Sequence, residues 1–288
     1  NKYIRTLKKH IDFITVCPEV EIGLGIPRDP IHLINKKNKI TLYQPNTDSD
    51  ISSKMIKYSE NYISSINYID GIILKSKSPS CAITTAKHYP NTESKQLMGY
   101  GSGLFASHLI REFPDTPKEE ETRLNNMFLR EHFYTSIFVI SDFRDIKTFK
   151  NLYSFHSKHK LLFMAYNQSK LKDLGRIAAN HKENTINKVL SKYFNILLKI
   201  FIRRPRYVSH INTQMHAFGY YKNVLSKKEK KYFLNQLNNY RNKIIPISTV
   251  NSVLNSWNMR FENEYLLNQS YFAPYPQELI EFKESRLK

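Results

Sequence analysis

A change of hydrophobic period partway along the chain limits its possible folds more than any other feature. Up to Phe113 short apolar runs alternate with helical spacing, whereas beyond FPDTPKEEETRLNN (Phe113 to Asn126) apolar residues recur at three and four with few breaks. Period 2 belongs to strands and period 3.6 to helices, so the chain is expected to change fold class at this polar connector. Before it, Phe13 to Val16 (FITV), Lys39 to Tyr43 (KITLY) and Tyr68 to Leu74 (YIDGIIL) read as strands. Between the last two, Ile51, Met55, Tyr58, Tyr62 and Ile66 share a helix face behind a cap at Asp48 or Ser49. Strand, helix, strand is the crossover of a parallel sheet. A second helix, Leu104 to Phe113, follows the glycine cluster GYGSG. The expectation is an α/β first domain, residues 1–140, with a parallel, Rossmann-like sheet.

Past the connector, Leu152, Phe155, His159, Leu162, Phe163 and Tyr166 fall on one helix face, and Ile186, Val189, Tyr193, Phe194, Leu197 and Phe201 on another. Ser226 with Glu229 forms a capping box for a helix carrying Phe233, Leu237, Tyr240 and Ile244. Pro205 and Pro246 divide the array. Residues 141–288 are expected to form an all-α bundle.

The two halves also differ in charge. Of the net +19, residues through Ile140 contribute little, with 18 Lys and Arg against 15 Asp and Glu, while Ser141 onward holds 26 against 10. Such a field attracts polyanions, nucleic acid or an acidic membrane surface. A composition bias that fills helix faces with lysine is the plainer alternative, but it should act equally on the first half. With 41% hydrophobic and 13% aromatic residues the chain is a folded protein. No apolar run reaches bilayer length, and the opening NKYIRTLKKHIDF lacks the apolar core of a secretory signal. The expected location is cytoplasmic, with no membrane partner.

Cys17 and Cys81 are the only cysteines among 288 residues, too few for a disulfide framework. Each follows an expected strand, Cys17 after FITV and Cys81 after GIIL and the turn SKSPS. Loops at the carboxyl ends of parallel strands line the ligand crevice, so both thiols are placed to face one site. Two thiolates there suit a soft metal centre, zinc or iron–sulfur; buried apolar filler is the other common use of free cysteine, and spacing alone leaves both open. Gly99, Gly101 and Gly103 put three of the chain's eight glycines into five residues ahead of a helix, where backbone amides approach an anion or sulfide closely.

CPEVEIGLGIPRDPIHL (Cys17 to Leu33), GIILKSKSPSC (Gly71 to Cys81) and GSGLFA (Gly101 to Ala106) resemble the thiouracil desulfidase (TudS-like) domain. FHSKHKLLFMAY (Phe155 to Tyr166), HINTQMHAFGYYK (His210 to Lys222), EKKYFLNQLNNYR (Glu229 to Arg241) and QSYFAPYPQEL (Gln269 to Leu279) resemble the YbgA-like domain. The fusion is similar to the RudS type of tRNA 4-thiouridine desulfidase. The resemblance implies a 4Fe-4S cluster held by three cysteines, two of them Cys17 and Cys81, with one iron open to the sulfur of a thiocarbonyl. It implies Glu19 as acid/base and Ser78 as its polar partner. Ser80, Lys75, Lys77, Gly101, Ser102 and Gly103 form a second tier around them. The family's remaining cysteine lies in a Cys-Leu-Leu-Gly-like segment ahead of the part that Asn1 begins, which points to a stretch preceding this sequence. Ala82 stands where the family has glycine.

In the basic half Arg203, Arg204 and Arg206 surround Pro205, a compact phosphate-binding patch, with Lys158, Lys160 and Lys222 as further contacts. His159 and His210 are either RNA contacts or packed core residues, and Tyr207, Tyr220 and Tyr221 either stack on bases or fill the core. Three functions compete: a tRNA 4-thiouridine desulfidase, a desulfidase of free thiobases, and a non-catalytic RNA-binding protein.

Overall fold

The computed structural model describes residues 1–36, 39–94, 96–180 and 185–280. The chain forms two compact units that divide between Phe133 and Tyr134.

In the first unit, helix α1 (Lys2–Leu7) and the four-residue α2 (Pro18–Glu21) precede strands β1 (His32–Lys36), β2 (Lys39–Gln44) and β3 (Ser49–Asp50). Helix α3 (Ser52–Ser65), strands β4 (Ile72–Leu74), β5 (Ala86–Tyr89) and β6 (Gly99–Gly101), helix α4 (Leu104–Glu112) and strand β7 (Lys118–Glu120) follow. A five-stranded sheet runs β3-β2-β1-β5-β6, and β4 pairs with β7 in a separate two-stranded sheet. The α/β class holds, but the sheet is mixed. β1 lies parallel to β5, whereas β1–β2, β2–β3 and β5–β6 are antiparallel. The expected crossover from β2 through α3 to β4 does not close one parallel sheet, because β4 finds its parallel partner in β7. FITV forms no strand ladder, and Ile14 is 72% exposed.

α3 begins at Ser52, where the Asp50 carboxylate accepts from the backbone N–H, and neither Asp48 nor Ser49 caps it. Asp48 instead ends a 3-10 turn in the left-handed region and accepts from the Tyr43 hydroxyl. Leu33, Leu42, Ile51, Met55, Leu74, Phe105 and Leu109 form the core beneath these elements.

The connector read as a polar linker is part of this core. Its β7 carries the fully buried Glu120, whose carboxylate accepts from the Ile83 and Thr84 N–H groups and the Thr85 hydroxyl. The neighbouring Glu121 accepts from Lys75 Nζ and from the Ser76 N–H and hydroxyl. Two adjacent glutamates thereby fix both ends of the loop that carries Cys81. At the other side Gly103 caps α4 so close to that loop that a Cβ would lie 2.5 Å from Ser80 O and 2.7 Å from Cys81 N.

Helix α5 (Met127–Arg144) spans the division. Helices α6 (Phe149–Tyr166), α7 (Gln168–Ala179), α8 (Ile186–Ile200), α9 (Tyr207–Gly219), α10 (Lys227–Arg241), α11 (Ile247–Arg260) and α12 (Glu264–Leu267) complete the second unit. α7 packs against α6 and α8, and α9 meets α6, α10 and α11. The periodic residues Leu152, Phe155, Leu162, Phe163, Val189, Tyr193 and Leu197 are buried in one continuous core. The capping box is present, with Ser226 Oγ accepting from Glu229 N–H and the Glu229 carboxylate accepting from Ser226 N–H. α10 stops at Arg241, leaving Ile244 68% exposed. None of the described helices is long and apolar enough to cross a membrane.

Adding one methyl at Gly103 pushes on backbone, which cannot swing aside, so Gly103→Ala is expected to cost about 1–3 kcal/mol in urea unfolding followed on the first unit. An unchanged midpoint would show that the loop tolerates displacement. Burial raises the Glu120 pKa, but the bonds from Thr84, Thr85, Ile83 and Ser76 outweigh it and hold the carboxyl below its ordinary range. Its stabilising contribution is present above the ordinary carboxylate pKa, about 4, and disappears as pH falls through the lower folded value. The urea midpoint should drop on acidification, and Glu120→Gln should flatten that drop; an identical acid profile in both proteins refutes the assignment.

Candidate cysteine site

Cys17 and Cys81, far apart in sequence, come within electrostatic reach of each other. Cys17 is the N-cap of α2, with its carbonyl accepting from the Val20 and Glu21 N–H groups, so the turn after FITV fixes its backbone. Cys81 closes the SPSC turn, where the Ser78 carbonyl accepts from Ala82 N–H. Both thiols are free and half-buried.

A chain of hydrogen bonds joins the two loops. Ser78 Oγ accepts from the Cys81 N–H at 3.0 Å and the Ser80 N–H at 3.2 Å, and donates to Glu19 Oε1 at 3.2 Å. Glu19, 8% exposed in the first turn of α2, takes Arg28 Nη2 on its other oxygen at 2.6 Å. The same Nη2 lies 3.7 Å from Cys17 Sγ. The arc thus runs from the backbone of one cysteine through Ser78, Glu19 and Arg28 to the sulfur of the other. Burial pushes the Cys81 thiol up to about 12, reinforced by the Glu19 charge and by Cys17, while the Ser78 bond and Arg28 oppose it. Tyr58 of α3, stacked on Tyr62 with ring centroids 5.8 Å apart, feels both sulfurs: burial raises its hydroxyl to about 12, with contributions from Glu21, Tyr62, Cys17 and Cys81.

The structure thus brings Cys17, Glu19, Ser78 and Cys81 together. The second tier divides. Ser80 is fully buried with its Oγ unpartnered among the described residues. Ser102 Oγ donates to the Ile83 carbonyl and Gly103 abuts Ser80, so both support the turn. Gly101 lies in β6 against the His88 ring. Lys75 pairs with Glu121, and Lys77 sits exposed at φ +62° with its N–H on Thr85 Oγ1. Sequence reasoning missed Arg28, Tyr58, Glu120 and Glu121. For Arg28 a signal was present, an arginine closing the two-glycine loop GLGIPRDP; the glutamates were hidden by the linker-like PDTPKEEE.

Two thiols are a soft donor pair suited to iron–sulfur chemistry or zinc. Such a centre would find two cysteine ligands here; among the described residues no group of three His, Cys, Asp or Glu side chains converges on a metal position. A three-cysteine cluster would therefore draw its last cysteine from outside this sequence.

In the second unit Arg203, Arg204 and Arg206 are exposed in the break between α8 and α9, as are Lys160 and Lys222 on their own segments. Lys158 pairs with Asp142 at 2.7 Å. His159 is 2% exposed, donating through Nε2 to Asp142 Oδ2 at 2.9 Å and accepting at Nδ1 from the Ser270 hydroxyl at 2.7 Å. Of its two expected roles, RNA contact gives way to packing. His210 likewise meets the Tyr271 hydroxyl at 3.1 Å, and burial lowers its pKa to about 4. Tyr221 is buried, Tyr207 donates to carbonyls at the end of α10, and Tyr220 stays 53% exposed.

Residues 1–121 match the 2-thiouracil desulfurase family. Residues 160–276 match a family described as protein of unknown function (DUF1722). The uncharacterized protein YbgA of Escherichia coli (strain K12) is 22% identical over 127 residues, covering 44% of this chain and 75% of that protein. No solved structure matches the chain significantly. The chain thus joins a segment that matches the 2-thiouracil desulfurase family to one that matches the DUF1722 family and is similar to YbgA.

Proposed function

We propose that the protein is a non-redox desulfidase that converts 4-thiouridine in tRNA to uridine with release of sulfide. The observation that carries this reading is the arc from Cys81 through Ser78, Glu19 and Arg28 to Cys17, in a unit that matches the 2-thiouracil desulfurase family. Cys17 and Cys81 are the proposed ligands of a 4Fe-4S cluster, with a further cysteine supplied from outside this sequence. Such a cluster supplies an open iron that polarises a C–S bond and accepts the departing sulfur.

The residues of this chain handle the proton and the water. Each Glu19 oxygen keeps a lone pair beside its Ser78 or Arg28 bond, so the carboxylate can take a proton from water as the water oxygen attacks the thiocarbonyl carbon. Ser78 holds that carboxylate in place through its hydroxyl and is itself fixed by two backbone donors. Carbon gains oxygen from water, loses sulfur as sulfide, and keeps its oxidation state. The helical unit would grip the phosphate backbone with Arg203, Arg204, Arg206, Lys160 and Lys222, and a base flipped out of the stack would enter the cysteine site. A second reading, a desulfidase of free thiobases, is favoured by the family description itself, which names 2-thiouracil.

After anaerobic reconstitution the protein should turn brown and remove 4-thiouridine from bulk tRNA. Cys17→Ala should lose the colour, and Glu19→Ala should keep it while turnover falls by roughly 100-fold or more, the usual range for a general base. Full turnover in Glu19→Ala removes that role. Turnover of free 2-thiouracil with tRNA left intact selects the second reading, and a colourless reconstituted protein argues for RNA binding without desulfidation. Replacing Arg203, Arg204 and Arg206 together with Gln should weaken tRNA binding and make its log–log salt slope shallower by about 1 for each phosphate that is no longer neutralised. An unchanged slope places the RNA surface elsewhere.

A further inference from the structure

We propose that Arg28 is the positioning residue of the cysteine site: its guanidinium straps the Glu19 carboxylate beside Cys17 and supplies the positive charge that lets two thiolates and a carboxylate share one desolvated place. The inference rests on the cluster reading above. Neither Cys17 nor Glu19 can be moved far, since both belong to the first turn of α2. Arg28 reaches them because the chain doubles back after α2 through Gly23 (φ +89°) and Gly25 (φ +70°), conformations that side-chain-bearing residues rarely adopt. No atom lies within 4 Å of where a Cβ would stand at either glycine, so backbone shape rather than space requires them.

The guanidinium then touches three groups at once. Nη1 donates to the Gly25 carbonyl at 3.2 Å, tying the arginine to its own loop. Nη2 donates to Glu19 Oε2 at 2.6 Å and stands 3.7 Å from Cys17 Sγ. The pair is screened little by water, with the Arg28 side chain 27% and the Glu19 side chain 11% exposed. Ligation of a soft metal centre requires both sulfurs as thiolates, whose charge the metal offsets only in part when a carboxylate is already buried beside them. Desolvated like charges are tolerated only when a cation compensates them. A planar fork can hold a carbonyl and a carboxylate in fixed directions at the same time, whereas a lysine ammonium offers a point charge on a flexible stem.

The test is anaerobic loading with ferrous iron and sulfide, read as iron bound per chain, visible absorbance, and retention against a chelator. Arg28→Gln should retain iron about 10–100-fold more weakly than wild type, the range for supporting residues of metal sites, with Arg28→Lys in between. Glu19→Gln should load like wild type. The double variant Arg28→Gln/Glu19→Gln should regain most of what Arg28→Gln loses, because removing the carboxylate charge removes the need to offset it. A loop-shaping role alone predicts a double variant no better than Arg28→Gln, and that result overturns the proposal, as does an Arg28→Gln protein that loads normally. Far-UV circular dichroism of the same samples separates lost loading from lost folding; should Arg28→Gln unfold, the Arg28→Lys and Glu19→Gln proteins still decide the matter, since charge compensation requires Arg28→Lys to keep most of the iron. Wild-type protein that takes up no iron sinks the cluster reading and this inference together.

Discussion

Glu19 buries most of its carboxylate, and both of its partners come from other parts of the chain, Ser78 from the SPSC turn and Arg28 from the loop beyond α2. A buried carboxylate left with one partner would be costly, so the three segments are obliged to meet. Their meeting sets the distance between the two sulfurs. The rest of the first unit serves the same requirement from outside: Glu120 and Glu121 hold the far side of the Cys81 loop, and Gly103 lets α4 approach it closely enough to leave no slack. The cysteines are thus positioned by carboxylates that hydrogen-bond their loops.

The helical half was legible in the sequence because its signal is local. A stripe such as Leu152, Phe155, His159 and Leu162 depends only on spacing within one helix, and the capping box of Ser226 and Glu229 is complete within four residues. The sheet was less legible because pairing is not written in any one strand. YIDGIIL shows a buried strand, yet nothing in it says that its partner is the KEE of an acidic connector. FITV has the composition of a strand, but Ile14 is 72% exposed and no described neighbour ladders with it. Of the residues that meet at the cysteine site, Cys17, Cys81, Glu19 and Ser78, with Ser102 and Gly103 behind the turn, were named from the sequence, whereas Arg28, Glu120 and Glu121 were not. Cysteine and the SPSC turn stand out; an arginine in a loop and a glutamate in a charged run do not.

His159 shows how burial decides between a surface role and a structural one. Because the Asp142 carboxylate accepts from Nε2–H, the other ring nitrogen must carry the lone pair, and the Ser270 hydroxyl donates to it. Burial lowers the His159 pKa despite Asp142, while the His159 bond helps hold Asp142 down at about 2 against its own burial. The ring lies between Phe155 and Phe163 with both nitrogens committed, so it has no donor left for a phosphate. It ties α6 to the 269–271 turn, where Gln269 also bonds the α6 backbone. Arg203, Arg204 and Arg206, by contrast, are exposed in the break between α8 and α9.

That separation of charge matters for the chemistry. A carboxylate acting as base and a departing sulfide are both anionic, and a strongly positive surrounding field would weaken the first as a base while holding the second back. Residues through Ile140 nearly balance, so over distances beyond the screening length of about 8 Å at physiological salt they contribute little net potential. Within the first unit the field at Glu19 is then dominated by its immediate neighbours, Arg28 at 2.6 Å above all. The large positive excess lies from Ser141 onward, in a part of the chain that carries no cysteine. Under the proposed function, which requires both attraction of nucleic acid and release of sulfide, assigning the two tasks to different folds would be an advantage, since a single cationic cleft would favour the first at the expense of the second.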